Sequence, residues 1–181
     1  ARIPFFVVPA RCQGKPLRGL AGEVVELRDV MPTLLDVAGI SIPDTVDGRS
    51  LLPLLTEPSG NWRDYIHGEH CWCYSREQEM QYVTDGLRKF IWLPRTGLEQ
   101  FFDLQRDPGE ICNLIDDPTY GDEVEKWRGF LIKELKKRNC GWVENGKLCC
   151  PNDDPLVSPF RDVRWTGTEP SVVQRRSAPR A

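Results

Sequence analysis

Residues Tyr82–Pro118 read YVTDGLRKFIWLPRTGLEQFFDLQRDPGEICNLIDDP, and this stretch decides the fold of the second half of the chain. Its apolar segments are Tyr82–Thr84, Lys89–Leu93 and Gln100–Leu104. Asp85-Gly86 between the first two segments favours a tight hairpin turn, and residues 94–97, which contain Pro and Gly, permit a wider one. The pattern therefore predicts an antiparallel meander of these segments.

A long helix is expected after the meander, over Asp122–Arg138. Apolar residues recur there at steps of three and four and form one stripe: Val124, Trp127, Leu131 and Leu135. Acidic residues begin the helix and basic residues end it, which suits the helix dipole, and Gly141 is a suitable stop. We expect this helix to cover one face of the meander, giving an α+β unit. From Trp142 onward the Pro- and Asp-rich sequence predicts an irregular extension.

The N-terminal part has an α/β pattern. The continuous apolar run Ile3–Val8 suits a strand buried on both faces of a parallel sheet, and a domain seldom begins that way, so we interpret the chain as a fragment. A short helix is expected with Asp29 as its N-cap, Pro32 in its first turn and Gly39 at its end. Its apolar face comprises Val30, Leu34, Val37 and Ala38. A helix this short needs a sheet to pack on.

These motifs together resemble a known family. The stretch 29–55, DVMPTLLDVAGISIPDTVDGRSLLPLL, and the later order TDG, FDL, DPGE and NL are similar to the C-terminal part of sulfatases, in the alkaline-phosphatase-like superfamily. The resemblance implies that residues 1–56 end the N-terminal catalytic domain, with part of a large mixed sheet and a short helix. It implies a C-terminal subdomain at 57–141, with an antiparallel sheet and one long helix, and an irregular extension at 142–181.

The resemblance also implies a reaction, the hydrolysis of a sulfate ester by an arylsulfatase-like enzyme. The family uses Ca²⁺ and a formylglycine made from the cysteine of a Cys-x-Pro-x-Arg motif. The nearest sequence here, Cys73-Tyr74-Ser75-Arg76, has neither the Pro nor the Arg at the required position. The acidic pairs Asp116-Asp117 and Asp153-Asp154 lie beside Pro and read as solvated turns. We therefore expect no catalytic residue, no metal ligand and no bound cofactor in this chain, which should be inactive alone.

One segment is a candidate for substrate contact. Residues 65–76 hold both histidines of the chain, and in the family this subdomain borders the mouth of the active-site cleft. His67, His70 and Arg76 are therefore the candidate substrate-binding residues, since each could hydrogen-bond a substrate hydroxyl or meet the sulfate charge. The alternative is that Gly68-Glu69-His70 is a strand edge whose histidine is satisfied locally.

Other functions stay open at this point. A phosphonate or phosphate monoester hydrolase of the same superfamily, a non-catalytic interaction module and a Cys-rich metal or redox domain are the alternatives, and the irregular spacing of the 7 cysteines disfavours the last. A net charge of −3 argues against nucleic acid as a partner, and no apolar run reaches the roughly 20 residues of a bilayer span. An exposed Ile3–Val8 strand would promote self-association.

Overall fold

A computed structural model describes residues 5–8, 19–55, 61–70, 75–138 and 141–150. The helices are α1 (Val30–Val37) and α2 (Gly121–Lys136). The strands are β1 (Ile66–His70), β2 (Met80–Thr84), β3 (Arg88–Trp92), β4 (Glu99–Asp103), β5 (Val143–Glu144) and β6 (Lys147–Leu148). Within these ranges neither helix is long and apolar enough to cross a membrane.

The predicted meander is confirmed as β2, β3 and β4, and β1 adds a further antiparallel strand at its edge in the order β1-β2-β3-β4. The β2–β3 turn follows from its sequence. The Asp85 carboxylate accepts hydrogen bonds from the amides of Leu87 at 2.8 Å and Arg88 at 2.7 Å. Gly86 adopts a φ of +87°, a conformation that favours glycine.

The core lies between one face of this sheet and α2. The stripe predicted for the helix is buried, which confirms that this face packs inward: Val124, Trp127, Leu131 and Leu135. The sheet contributes the buried side chains of Val83, Phe90, Trp92 and Phe101 to the same cluster. Because strand residues alternate between faces, the odd positions of β2 and the even positions of β3 meet the helix.

The expectation of an irregular chain from Trp142 is wrong for residues 142–150. β5 and β6 pair as a hairpin whose turn residues, Asn145 and Gly146, have φ of +47° and +77°. Asn-Gly is the preferred pair for such a turn. Trp142 is buried and meets Trp92 edge-on, with ring centroids 6.1 Å apart, so the hairpin is held on the core by an aromatic contact. Residues 151–181 lie outside the described residues, and the domain division stays a prediction.

The short helix is confirmed, but the role expected for Asp29 is wrong. Asp29 has helical dihedrals and caps no amide of α1, because the 3-10 turn Leu27–Asp29, which Asp29 closes in a capping box with Glu26, runs directly into that helix. Its carboxylate instead accepts two hydrogen bonds of 2.6 Å from Arg63. It also accepts from the backbone amides of Glu26 and Arg49, each at 2.9 Å. Asp29 thus fastens α1 to the segment leading into β1.

The apolar face of α1 is exposed. Leu34 and Val37 are 63% and 65% exposed, whereas Pro32 and Thr33 are the buried residues of this helix. The prediction of an opening strand is wrong for residues 5–8, which form no strand. The described strands pair among themselves, so the backbone groups of residues 5–8 have no described strand to pair with. Residues 1–4 lie outside the described part of the chain.

Candidate functional site

One end of the sheet carries His70 and the turn that contains Arg76, and we call it the loop end. It comprises His70 at the end of β1, the connection 75–80 into β2, and the turn 92–99 between β3 and β4. His70 pairs in register with Met80, which places the start of β2 beside it.

His67 and His70 lie on opposite faces of β1, since strand side chains alternate and the two positions differ by an odd number. His70 is exposed at the loop end, whereas His67 is partly buried on the face that meets α2. The structure therefore does not bring the two imidazoles together. Arg76 lies in the 3-10 turn Arg76–Gln78 of the connecting segment, and its side chain is outside the described residues.

A hydrogen-bonded network satisfies His67. Its Nε2 lies 2.9 Å from Oε1 of the buried Gln81, and burial lowers the pKa of the His67 imidazole. Gln81 donates in turn to Glu69 at 3.3 Å, and Glu69 forms an ion pair with Arg138. Partial burial acts to raise the pKa of Glu69, but the hydrogen bonds from Arg138 and Gln81 and the positive charge of Arg138 together outweigh it, so the pKa falls. His67 is therefore satisfied locally, whereas His70, the histidine of the Gly68-Glu69-His70 alternative, is exposed and is the accessible imidazole.

A buried ion pair lies at the start of β2, the strand that pairs with β1. Glu79, immediately before β2, is 1% exposed, and its Oε2 accepts a hydrogen bond of 2.6 Å from Nε of Arg95. Arg95 belongs to the turn between β3 and β4 and its side chain is only 10% exposed. Sequence reasoning missed both residues. Both residues lie just outside the predicted meander strands, and this was the signal that could have pointed to them. They are 16 residues apart, so they become partners only when the sheet has folded.

The turn that carries Arg95 is tightly constrained. The carbonyl of Leu93 accepts from the amide of Gly97 at 2.9 Å, and the amide of Leu93 donates to the carbonyl of Leu98 at 2.9 Å. Pro94 is fully buried and fixes one dihedral of the turn. Gly97 has a φ of +72°, and a Cβ there would lie 3.0 Å from Sγ of Cys150, so a larger residue would have a strained backbone and would press on that sulfur.

The other sheet face also approaches the loop end, through Gly68 and Tyr82. A Cβ on Gly68 would lie 2.2 Å from Cζ of the Tyr82 ring, so the ring occupies the space over that glycine. Burial raises the pKa of the Tyr82 hydroxyl. Lys89 Nζ lies 5.4 Å from the centroid of the same ring and 2.6 Å from Glu110, which holds the ring between a cation and the strand.

The described residues do not fit the Ca²⁺ and formylglycine that the family resemblance implies. They contain no group of three or more His, Cys, Asp or Glu side chains able to hold a metal ion. Cys149-Cys150-Pro151 has a Pro two residues after a cysteine, but Asp153 stands where the motif needs Arg. Cys73 and its neighbours lie outside the described residues. No catalytic step is therefore assigned to this part of the molecule.

Comparison with known proteins shows relatives among sulfatases and related hydrolases. The chain is 46% identical over 152 residues to an arylsulfatase of Clostridium perfringens, a match covering 82% of this chain and 30% of that protein. It is 36% identical over 167 residues to the multifunctional alkaline phosphatase superfamily protein PehA of Trinickia caryophylli, over 78% of this chain and 28% of that protein. The solved structure of BT1596, a 2-O GAG sulfatase, matches with a TM-score of 0.58 and 25% identity, covering 72% of this chain and 27% of that one.

The family assignment rests on a match over most of the chain. The family described as N-sulphoglucosamine sulphohydrolase, C-terminal, matches residues 2–138. That range takes in α1, the four-stranded sheet and α2. The fold agrees with it, since 72% of the chain matches the sulfatase structure with a TM-score of 0.58. The chain therefore belongs to the N-sulphoglucosamine sulphohydrolase C-terminal family, within the sulfatases of the alkaline-phosphatase-like superfamily.

Proposed function

We propose that this chain is the C-terminal part of an arylsulfatase-like enzyme that hydrolyses a sulfate ester to an alcohol and sulfate. The observation that carries the proposal is the family match over residues 2–138, joined to 46% identity with an arylsulfatase. The chain spans about 30% of that relative's length. The nucleophile, with the formylglycine and Ca²⁺ of a complete sulfatase, then belongs to the rest of the enzyme.

The loop end is the proposed contribution of this chain to substrate binding. His70 is exposed at the end of β1 and can donate to or accept from a substrate hydroxyl, and in its protonated form it can meet a sulfate charge. Arg76 and His67 complete the proposed set, with His67 supporting the strand from the opposite face. A sulfated carbohydrate is the proposed substrate class, because the structural relative BT1596 is a 2-O GAG sulfatase.

A second candidate function is the hydrolysis of phosphonate or phosphate monoesters. It is favoured by the 36% identity to the multifunctional alkaline phosphatase superfamily protein. Both reactions cleave an ester of a tetrahedral oxyanion, so the same anion-binding groups could serve either. A non-catalytic interaction module is the remaining alternative.

The test is a rate comparison on a full-length protein that contains this chain. It is assayed with matched aryl esters of sulfate, phosphate and phosphonate, with added Ca²⁺ and with a chelator. We expect the sulfate ester to give the highest kcat/KM, and the isolated 181-residue chain to give no turnover. A higher kcat/KM for the phosphonate ester would favour the second candidate, and no turnover of any ester by the full-length protein would favour the interaction module.

A self-associating surface is also proposed for the isolated chain. Phe6 and Val8 are 84% and 83% exposed, and the apolar face of α1 is exposed as well. Apolar surface of this extent marks an interaction site or an association hazard.

A further inference from the structure

We propose that Glu79 and Arg95 are positioning residues, which hold the loop end in the geometry that presents His70 to substrate. This inference rests on the proposed function and adds two residues to it. Neither side chain is exposed enough to be the primary contact, because Glu79 is 1% and the Arg95 side chain 10% exposed. They act through Met80, which follows Glu79 and pairs with His70.

The ion pair holds the segment that carries Glu79, because the segment that carries Arg95 is the more rigid of the two. Arg95 extends from the turn between β3 and β4, which is closed by backbone hydrogen bonds on both sides of Leu93 and has Pro94 buried beneath it. Glu79 belongs to the connection 75–79, whose regular structure is a single 3-10 turn, Arg76–Gln78. The hydrogen bond of 2.6 Å therefore fastens a weakly structured connection to a well-fixed turn.

The connection is coupled directly to His70. Glu79 precedes Met80, and Met80 is the register partner of His70 across the β1–β2 ladder. β1 is the edge strand of the described sheet, so among the described residues its backbone pairs with a strand on one side only. A shift of Glu79 would move Met80 and with it the last pair of the ladder, which carries His70.

Stability alone is a weak reason for burying these charges. Two charged groups lose their hydration when buried, and well-packed apolar side chains of similar size are often as stabilising. Glu79 Oε1 is buried and finds no hydrogen-bond partner within the described part of the chain, which adds to the cost. The hydrogen bond between Glu79 and Arg95 is directional and fixes the connection 75–79, which an apolar pair could not do.

The opposite end of the same sheet supplies a matched control. Asp103, at the end of β4, is also buried, and its carboxylate pairs with Arg88 at 2.9 Å. Asp103→Asn and Glu79→Gln each neutralise a buried carboxylate that faces an arginine and preserve its volume. They affect opposite ends of the sheet, and Asp103 also accepts hydrogen bonds from the amides of Gln105 at 3.1 Å and Arg106 at 3.3 Å.

The first measurement is steady-state kinetics of the full-length enzyme with an aryl sulfate and a sulfated sugar. Loss of positioning removes a contact made equally in the ground state and the transition state, so KM rises and kcat is kept. We expect Glu79→Gln to raise KM about tenfold with kcat changed less than about threefold, and Asp103→Asn to leave KM within about twofold. Equal effects of the two variants on KM, or a Glu79→Gln loss confined to kcat, would overturn the proposal.

The second measurement separates positioning from folding. The double variant Glu79→Leu/Arg95→Met removes both charges and keeps an apolar pair of similar volume. We expect it to keep a Tm within about 4 °C of the unsubstituted protein, as apolar replacements of buried ion pairs often do, and to keep the raised KM. Recovery of the original KM by this variant would show that the pair only fills space, and would contradict the inference.

Hydrogen exchange on the 181-residue chain gives a readout that needs no activity. In Glu79→Gln we expect amides of 66–70 and 77–80 to exchange about tenfold faster, with those of β3 and α2 unchanged, because only the connection loses its anchor. Unchanged or uniform exchange would count against positioning, whether or not the full-length protein is a sulfatase. If the full-length protein hydrolyses no sulfate ester, the proposed function fails, and this exchange experiment still decides the anchoring role.

Discussion

Replacing Asp29 with Ala should detach the N-terminal part of the chain from the segment that leads into β1. The carboxylate is fully buried and accepts four hydrogen bonds, two from Arg63 and one each from the amides of Glu26 and Arg49. Removing one member of a buried ion pair costs about 3–5 kcal/mol. Arg63 keeps a second partner, since its Nη1 lies 3.3 Å from Glu26, so we expect about 3 kcal/mol, the lower end of that range.

The assay is urea unfolding at pH 7, joined to hydrogen exchange over residues 30–37. We expect the exchange of these amides in Asp29→Ala to be faster by about a hundredfold, the equivalent of about 3 kcal/mol, while residues 124–135 keep their protection. A Thr33→Ser variant, which keeps the hydroxyl that donates to the Asp29 carbonyl, is the local control. Exchange of 30–37 in Asp29→Ala that stays within threefold of the unsubstituted protein would refute the assignment of this ion pair as the fastening.

The same carboxylate gives a pH dependence. Burial acts to raise the pKa of Asp29, but the hydrogen bonds from Arg63 and the two amides outweigh it, so the pKa lies below its ordinary value. The unfolded chain then binds the proton more readily, and stability rises with pH in the titration range. The contribution is complete above about pH 4, the ordinary Asp pKa, and is lost as pH falls through the lower native pKa. The difference in unfolding free energy between Asp29→Asn and the unsubstituted protein should therefore shrink in acid and stay constant between pH 6 and 8.

Three further perturbations test the core, the strand contact and the exposed surface. Leu131→Ala should lower the free energy of unfolding by about 2–5 kcal/mol in urea denaturation, because it leaves a cavity in the core, whereas an exposed Lys133→Ala should change it by less than about 0.5 kcal/mol. Gly68→Ala should cost about 1–3 kcal/mol through its clash with the Tyr82 ring, and a double-mutant cycle with Tyr82→Ala should remove most of that cost; an additive cycle would contradict the contact. Phe6→Lys should reduce association of the isolated chain in size-exclusion chromatography with light scattering, and a monomer unaffected by the substitution would show that this surface drives no association.

Local sequence patterns were sufficient for the meander strands β2, β3 and β4 and for α2. The β2–β3 turn depends on Asp85 and Gly86, which bond within a few residues and supply the required dihedral angle. The apolar stripe of α2 depends on a spacing that brings Leu131 and its partners to one face of any helix. Such features involve neighbours in the chain, so they can be predicted without knowing the fold.

The missed features involve partners distant in sequence. Trp142 follows the helix in a polar, Pro-rich context, and its contact with Trp92 is 50 residues away in the sequence, so composition alone predicted an irregular tail. Among the candidate substrate-binding residues, His67 and His70 are close in sequence and were predicted to act at the same site. The strand put them on opposite faces, and the hydrogen bond to Gln81 satisfied His67.

The family resemblance, the meander and the amphipathic helix could be predicted from residue order, because each depends on motifs and spacing along the chain. The partners of the charged residues depend on the folded geometry. Asp29 has the sequence position of a helix cap, yet it binds Arg63, 34 residues later. Glu79 and Arg95 belong to no motif in the sequence, and they become a buried ion pair only when the strands of the sheet have paired. A carboxylate can accept hydrogen bonds from any suitably placed donor, so its partner is fixed by the folded geometry and not by its neighbours in the chain.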